Sequence, residues 1–579
     1  MTWQTTNTAK GDNKLYSDAK GVVPSLDLRF ASQKNLNDYM TGTPLVDHQR
    51  SMSGSNLSPG TFVNSSGLIE TAKVNLLPYS KDNLGWSTQD MNNDGAVEGP
   101  PGEGQATRFT SVGGTVASRV RYLSAFTTTA GVQYTLSIYV KPLNYNSVSF
   151  GLSNIGAGAS RSDYNFSTGI VTNAAGTADA SMEALGNGWW RLKNTIIAAP
   201  SSGSIPTLFL DLGDTAAETH ATSEGFDVYG GQIEEGVDLN TYIQTIGVPS
   251  AAPRFDHDPT TGESLGLLIE DSRTNYITNS TNFAASVLPV TATLNFAVSP
   301  DNTVSATRHQ SASSDTGTII LSKSATPGEI YTLSVYAKRN SGSGNLKLLI
   351  YELPSVAATV QTFTLTNEWQ RFSITRTVGA NQTSIQCRIV GTPANYDNLY
   401  WGAQVEEGSF PTSYIPTTGT ALTRSADVAS ITGSNFSSWY NQGEGTVFVK
   451  GATNDIDGNT GWASFYQASS PNNNRISVRQ GPTLITSAGT TIGLSASSSP
   501  TPKEIQKIST AYKNDDFALY STYSTPVLLS AGSLPVSVDT ALFGGVEGTG
   551  GAFNLNGTIA RLTYFPDRLE DSVLQAITQ

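Results

Sequence analysis

From Tyr134 to Lys141 apolar and polar side chains alternate. Tyr134, Leu136, Ile138 and Val140 share one face, and Thr135, Ser137, Tyr139 and Lys141 share the other. A period of two predicts a half-buried antiparallel strand. Tyr331 to Lys338 repeats the pattern, and Phe372, Ile374 and Val378 keep the period further on. Gly186-Asn187-Gly188, Pro327-Gly328 and Ser341-Gly-Ser-Gly344 interrupt such runs with turn formers. Many short strands parted by Gly- and Pro-rich turns predict β-sandwiches of jelly-roll type. Only near the C-terminus does the period change. Leu569, Val573 and Ile577 are spaced for a helix, and Asp567-Arg-Leu-Glu570 offers a capping box ahead of it. This predicts one short helix over 567–577.

The strand pattern belongs to a longer repeat. Leu68-Ile69-Glu70 with Asn75 returns as Leu268-Ile269-Glu270 with Asn275, and Ala106-Thr107-Arg108 as Ala306-Thr307-Arg308. Trp189 or Trp190 before Arg191 matches Trp369 before Arg371. Gly231-Gln-Ile-Glu-Glu-Gly236 with Tyr242 matches Ala403-Gln-Val-Glu-Glu-Gly408 with Tyr414. The order is constant while the offset shrinks from 200 to 172 positions. Two copies of one domain follow, the second about 28 residues shorter.

These landmarks predict an all-β chain of tandem antiparallel sandwiches. The segments are an N-terminal docking anchor at 1–67, a first jelly roll at 68–247, a linker at 248–267, a second jelly roll at 268–419 and a last sandwich at 420–579. The anchor is assigned because that stretch is polar and too short for a core of its own. The linker is assigned because Pro253 and Pro259 favour an extended path.

Composition narrows the partners. Asp and Glu number 47 against 34 Lys and Arg, with no basic run, which excludes a nucleic-acid binder built on phosphate contacts. No stretch of 18 apolar residues suggests a membrane span. Met1 to Lys20 is polar and lacks the apolar centre of a secretory signal. Cys387 is the only cysteine and reads as a small buried apolar residue.

Candidate chemistry is sparse. Glu234-Glu235 and Glu406-Glu407 invite a glycosidase reading, but neighbours on a strand face opposite ways and cannot flank one bond. His257 between Asp256 and Asp258 reads as a hydrogen-bonded linker residue rather than a triad. Asp90, Asn92 and Asp94, followed by Gly95, match the first half of a calcium loop, with Pro101 where the closing Glu belongs. A structural Ca²⁺ is the one cofactor considered, and Asp455, Asp457 and Asn459 form a weaker variant. Trp86, Trp439, Trp462 and Tyr466 lie among polar, loop-like residues and are the candidates for stacking on sugar rings. Trp190, Trp369 and Trp401 belong to the repeated framework and read as core.

Longer motifs carry a resemblance. They are Ser25-Leu-Asp-Leu-Arg-Phe-Ala31, Pro253-Arg-Phe-Asp-His-Asp258 continuing to Glu270, Trp401-Gly-Ala-Gln-Val-Glu-Glu-Gly408 continuing to Pro416, and Leu422-Thr-Arg-Ser-Ala-Asp-Val428. Together they resemble phage virion proteins of the head-spike and fibre type, over nearly the whole chain from about residue 24. The resemblance implies jelly rolls similar to carbohydrate-binding modules and a last domain similar to the concanavalin A/laminin-G sandwich. It also implies a virion-surface location after assembly in the host cytoplasm, docking on other virion proteins and a homo-oligomer, with a trimer favoured. This chain departs from that pattern, because the first jelly roll lies between the Gly67-Leu-Ile69 segment and Arg254-Phe-Asp-His257, as if inserted. The function expected is non-enzymatic attachment to host-surface glycans. The alternatives are a purely structural decoration or adaptor protein and a polysaccharide-degrading tailspike.

Overall fold

The computed structural model describes residues 15–19, 21–54, 57–80, 86–123, 126–154, 160–173, 176–196, 202–213, 218–283, 290–455, 460–495, 501–546 and 554–579. The fold is all-β, built from antiparallel sandwiches with a few short helices. The chain forms two compact units. One holds Thr41–Ser53 and Lys73–Ala252, and the other holds Met1–Met40, Gly54–Ala72 and Pro253–Gln579.

The first jelly roll is a pair of six-stranded sheets. One runs Thr177–Gly186, Trp189–Ile196, Tyr134–Leu143, Gly225–Glu235, Ala106–Ser111, Met91–Val97. The core lies between the sheets, where Tyr134, Leu136, Ile138 and Val140 are fully buried with Phe150, Leu208 and Leu210. In the second jelly roll the equivalent sheet runs Gln370–Thr377, Ile330–Ser341, Tyr396–Glu407, Val304–Ser311, Thr291–Val298. Tyr331, Leu333 and Val335 face Leu346, Leu348 and Ile350 in its core.

The two copies share detail that periodicity alone does not demand. In each, the central pairing slips one step, between Ser137 and Tyr139 and between Ser334 and Tyr336. Gly230 and Gly402 sit opposite these slips, each with φ 61°. That is left-handed backbone, and a Cβ there would press on the ring of Tyr139 or Tyr336. Asn75 Nδ2 donates to the carbonyls of Gly231 and Ile243, while its Oδ1 accepts from the amides of Leu77 and Ile233. Asn275 does the same with Ala403, Ile415, Ile277 and Val405. Such an amide stitches three backbone segments and leaves no buried polar atom unpaired.

The last sandwich forms from two sheets, one containing Glu444–Thr453, Gln506–Lys513 and Gly557–Phe565, the other Gly461–Tyr466, Arg475–Arg479 and Thr540–Phe543. Here the structure corrects the segment boundaries. The expected linker is a hairpin, Arg254–His257 with Ser264–Ile269, and its second strand pairs with Gly557–Phe565. The expected N-terminal anchor does not stand apart. Leu26–Leu28 is a strand on Gly557–Phe565. Asp27, fully buried, accepts hydrogen bonds from Arg561, Thr563, Arg29 and Tyr16. Leu15 and Ala19 pack into the core formed by Phe448, Phe565 and Leu574. A polar segment with no core of its own has joined a sheet whose partner strand lies more than 500 positions away. The C-terminal helix spans Asp571–Thr578, with Glu570 at its N-cap and no side-chain cap, so the capping box at Asp567 is not formed. Leu569, Val573 and Ile577 are buried as their spacing requires.

Candidate ligand-binding cleft

Two of the expected stacking residues, Trp439 and Trp462, are core residues. Trp439 is 5% exposed and packs against Phe436, Phe465 and Tyr564. Trp462 is 1% exposed. Strand pairing is irregular between Gly461 and Ala463, and the Trp462 ring reaches Gly451 on the facing sheet, where only glycine leaves room. Both belong to the core, because an indole gains more from burial between sheets than from a polar sequence neighbourhood. Tyr466 is half-buried at its strand end, opposite Arg475 and Thr540. Trp86, in the other unit, is half-buried and packs edge-on against Tyr122.

The calcium candidates lie on a turn and a strand. Asp90 occupies a left-handed turn at φ 53°, while Asn92 and Asp94 lie on the strand Met91–Val97. Asp94 accepts a hydrogen bond from Thr110 at 2.6 Å. A paired strand spreads its side chains instead of wrapping them round a cation, and Gly95 serves an irregularity in the pairing with Ala106–Ser111. Among the described residues no three His, Cys, Asp or Glu side chains gather as metal ligands. Asp457 and Asn459 lie outside the described residues.

The glutamate doublets are framework. Glu234 and Glu406 are buried, Glu235 and Glu407 exposed. Glu406 accepts from Gln404, from the Thr412 amide and from the Thr412 hydroxyl, and Glu234 accepts from Gln232 and Asn240 in the equivalent place. His257 Nδ1 bonds the Val63 carbonyl, and Cys387 is buried.

The larger unit contains a cleft of about 1270 Å³. The second jelly roll contributes Tyr336, Lys338 and Trp369 to its lining, and the last sandwich contributes Lys450 and Lys503. Asp256 of the hairpin and Glu270 also line it. Trp369 Nε1 donates to the Val298 carbonyl at 3.2 Å, which fixes the edge of the indole. The Lys338 ammonium lies 5.1 Å from the ring centroid. The ring itself stays half-buried, packed beside Ile69, Trp401 and Tyr414.

The equivalent tryptophan of the first jelly roll is closed over. Trp189 is 2% exposed, in a cluster with Tyr139, Tyr229 and Leu185. Leu185 comes from Thr177–Gly186, a strand that pairs outside Trp189–Ile196. The second copy has no such strand among the described residues, and Gln370–Thr377 ends its sheet. Lys141 and Arg191 are 50 positions apart, while their counterparts Lys338 and Arg371 are 33 apart. The shorter copy lacks the piece that covers the ring.

Beside the cleft lies a buried charge cluster. Arg254 pairs with Glu270 at 2.8 Å and with Asp427 at 2.6 Å, and Arg424 pairs with Glu270 at 3.1 Å. The Ser413 amide and hydroxyl both donate to Glu270, at 2.7 Å each. Burial opposes ionisation of Glu270, but the Arg424 and Arg254 guanidiniums and the Ser413 bonds outweigh it and hold the carboxyl at about 2. Burial pushes Asp256 the other way, up to about 6, against the hydrogen bond it accepts from the Val63 amide. Two carboxyls with separated pKa values suggest an acid–nucleophile pair. The geometry argues otherwise, because both oxygens of Glu270 are already occupied by Ser413 and the arginines.

Sequence reasoning placed Trp369 in the core along with Trp190 and Trp401. The available signal was the shortened spacing before Arg371, since a deletion next to a core tryptophan exposes part of it.

No protein-family model matches the chain, and no curated protein matches it. Among solved structures, one similar chain is the N-terminal CBM22-1–CBM22-2 tandem of Paenibacillus barcinonensis Xyn10C, at 13% identity over 59% of this chain and 99% of that one, with a TM-score of 0.20. Another is the CBM22-1–GH10 portion of Clostridium thermocellum endo-1,4-β-D-xylanase 10B complexed with xylohexaose, at 16% identity and a TM-score of 0.19. It covers 25% of this chain and 29% of that one. The LG1–3 region of the laminin α2 chain aligns at 10% identity over 79% of this chain and 97% of that one, with a TM-score of 0.12. At these TM-scores the likenesses carry no argument about ligands.

Proposed function

We propose that this chain is a non-enzymatic attachment protein of a phage particle surface that holds glycans in the cleft beside Trp369. The observation that carries the reading is the open tryptophan. A half-buried indole, edge-fixed by Val298 and with only the flexible Lys338 ammonium over its ring, suits the C–H face of a sugar ring that takes the place of that ammonium, and its twin Trp189 is sealed. The particle location rests on the resemblance of the long motifs from Ser25 to Val428. Catalysis is not part of the reading, since Glu270 is held in ion pairs and the glutamate doublets are built into the fold. Weak single-site affinity suffices if the chain assembles as an oligomer on a particle, because multivalency raises avidity by roughly 10²–10⁴.

The test is a glycan array probed with a multimerised form of the full chain and with its Trp369→Ala variant. Binding by the native chain that falls at least about tenfold in the variant supports the reading. Undiminished binding by Trp369→Ala moves the site elsewhere. Release of reducing sugar from a bound polysaccharide overturns the non-enzymatic assignment.

A further inference from the structure

We infer that the cleft takes an acidic saccharide, with a sugar ring against Trp369 and carboxylates among Lys338, Lys450 and Lys503; this rests on the glycan reading above. The argument is a census of charges lining the cleft. Its acids are largely engaged by protein. Glu270 is held by Arg254, Arg424 and Ser413. Asp256 accepts from the Val63 amide at 2.7 Å, and Asp258 accepts from the Thr260 and Thr261 amides at 2.8 Å each. The two arginines of the lining are engaged as well. Arg371 donates to the Thr412 carbonyl and the Ser334 hydroxyl, and Arg561 to Asp27. Lys338, Lys450 and Lys503 differ: among the described residues their side chains make no hydrogen bond or ion pair, although Lys503 feels the charges of Asp256, Glu270 and Asp258, and Lys338 meets only the face of Trp369.

Position adds to the count. Lys338 and Lys450 are half-buried and come from different domains of the same unit. Partly desolvated cations interact more strongly with an incoming anion than exposed ones do. Two further charges of the lining, Asp18 and Lys507, are half-buried and already engaged, and the remaining acids, Glu263 and Glu368, are exposed, where water and salt screen them. The cleft therefore offers Lys338 and Lys450 half-buried and without an ion pair, with Lys503 exposed near Asp256, Glu270 and Asp258, while Asp256 and Asp258 are held by backbone amides and Glu263 and Glu368 are exposed. An aromatic face beside unpaired ammonium groups matches a sugar that carries its charge on the ring, as uronates and sialic acids do.

The experiment compares polygalacturonate, alginate and sialyl-terminated glycans with the same glycans after their carboxyls are reduced to alcohols. The full chain is the protein, and neutral glycans are on the same array. We expect at least one acidic probe to bind, its reduced form to bind at least about tenfold more weakly, and the Lys338→Gln/Lys450→Gln variant to show a similar loss. Equal binding of acidic and reduced probes overturns this inference and leaves the glycan reading standing. Binding to neutral glycans alone does the same. Binding to no glycan overturns both. If the double variant fails to fold, the carboxyl-reduction comparison on the native chain still decides.

Discussion

Trp189 and Trp369 hold the same place in two copies of one jelly roll and meet different surroundings. Each precedes the arginine that donates to a serine of the neighbouring strand, Arg191 to Ser137 and Arg371 to Ser334. Each lies near the tyrosine pair at the strand slip, Tyr139 with Tyr242 and Tyr336 with Tyr414. In the first copy an added strand covers the indole, and in the second the indole lines a cleft. A second contrast runs with it. Glu70 is exposed on its hairpin, while its repeat Glu270 is buried between two arginines. The residues that recur in equal surroundings, such as Asn75 and Asn275, hold the fold. Those that recur in unequal surroundings show where the two copies have diverged.

The sharpest break in the comparison comes from stability. Trp189→Ala is expected to cost about 3–5 kcal/mol in urea unfolding, as large-to-small changes in a sealed core do, and to leave glycan binding unchanged. Trp369→Ala is expected to cost less than about 2 kcal/mol and to remove binding. Equal losses of stability would show that Trp369 is as much a core residue as Trp189.

The glutamates give the next effect. Glu270→Ala leaves Arg254 and Arg424 short of a partner in a buried site and is expected to cost about 3–5 kcal/mol. Glu70→Ala, on an exposed side chain, is expected to fall within about 0.5 kcal/mol of the native protein. The framework amides sharpen the same point from the other side. Asn75→Ala and Asn275→Ala each strand two buried carbonyls and two amides, and similar losses of roughly 2–3 kcal/mol are expected at both. Hydrogen exchange at the amides of Ile233 and Val405 would locate each loss in its own copy.

The sequence showed the strands, the duplication and the C-terminal helix because periods of two and of 3.6 depend on local burial alone. It also placed Glu234 and Glu406 in the fold, since adjacent strand positions face opposite ways. It did not show that Asp27 would be buried against Arg561, because that contact spans more than 500 positions and nothing local marks a polar strand as destined for another domain's sheet. It misplaced Trp439 and Trp462 for a related reason. Polar neighbours mark a loop only when pairing is regular, and the irregular step at Gly461–Ala463 leaves Trp462 against the facing sheet. The cleft lies between elements far apart in the chain, such as Lys338 and Lys450, so only its missing cover was written in the spacing.

The last expected effect is on pH dependence, and it separates the two carboxyls of the cleft. Glu270 has a folded pKa of about 2, below its ordinary value of 4.5. Its stabilisation is complete above 4.5 and is lost as pH falls from there toward 2. Asp256 is raised from 3.8 to about 6 by burial. The folded chain then binds more protons at this site than the unfolded chain between those values, so stability from Asp256 falls as pH rises from about 4 to about 6. Asp256→Asn keeps the oxygen that accepts from the Val63 amide and removes the charge. The variant should therefore be more stable than the native chain at pH 7, by up to roughly 3 kcal/mol for a shift of this size, and close to it near pH 4. Melting temperatures measured at half-unit steps from pH 3.5 to 7.5 check this. Parallel curves for the two proteins would mean that Asp256 is solvated in the cleft and ionises normally, which would also weaken the case that the cleft interior is a low-dielectric site for anions.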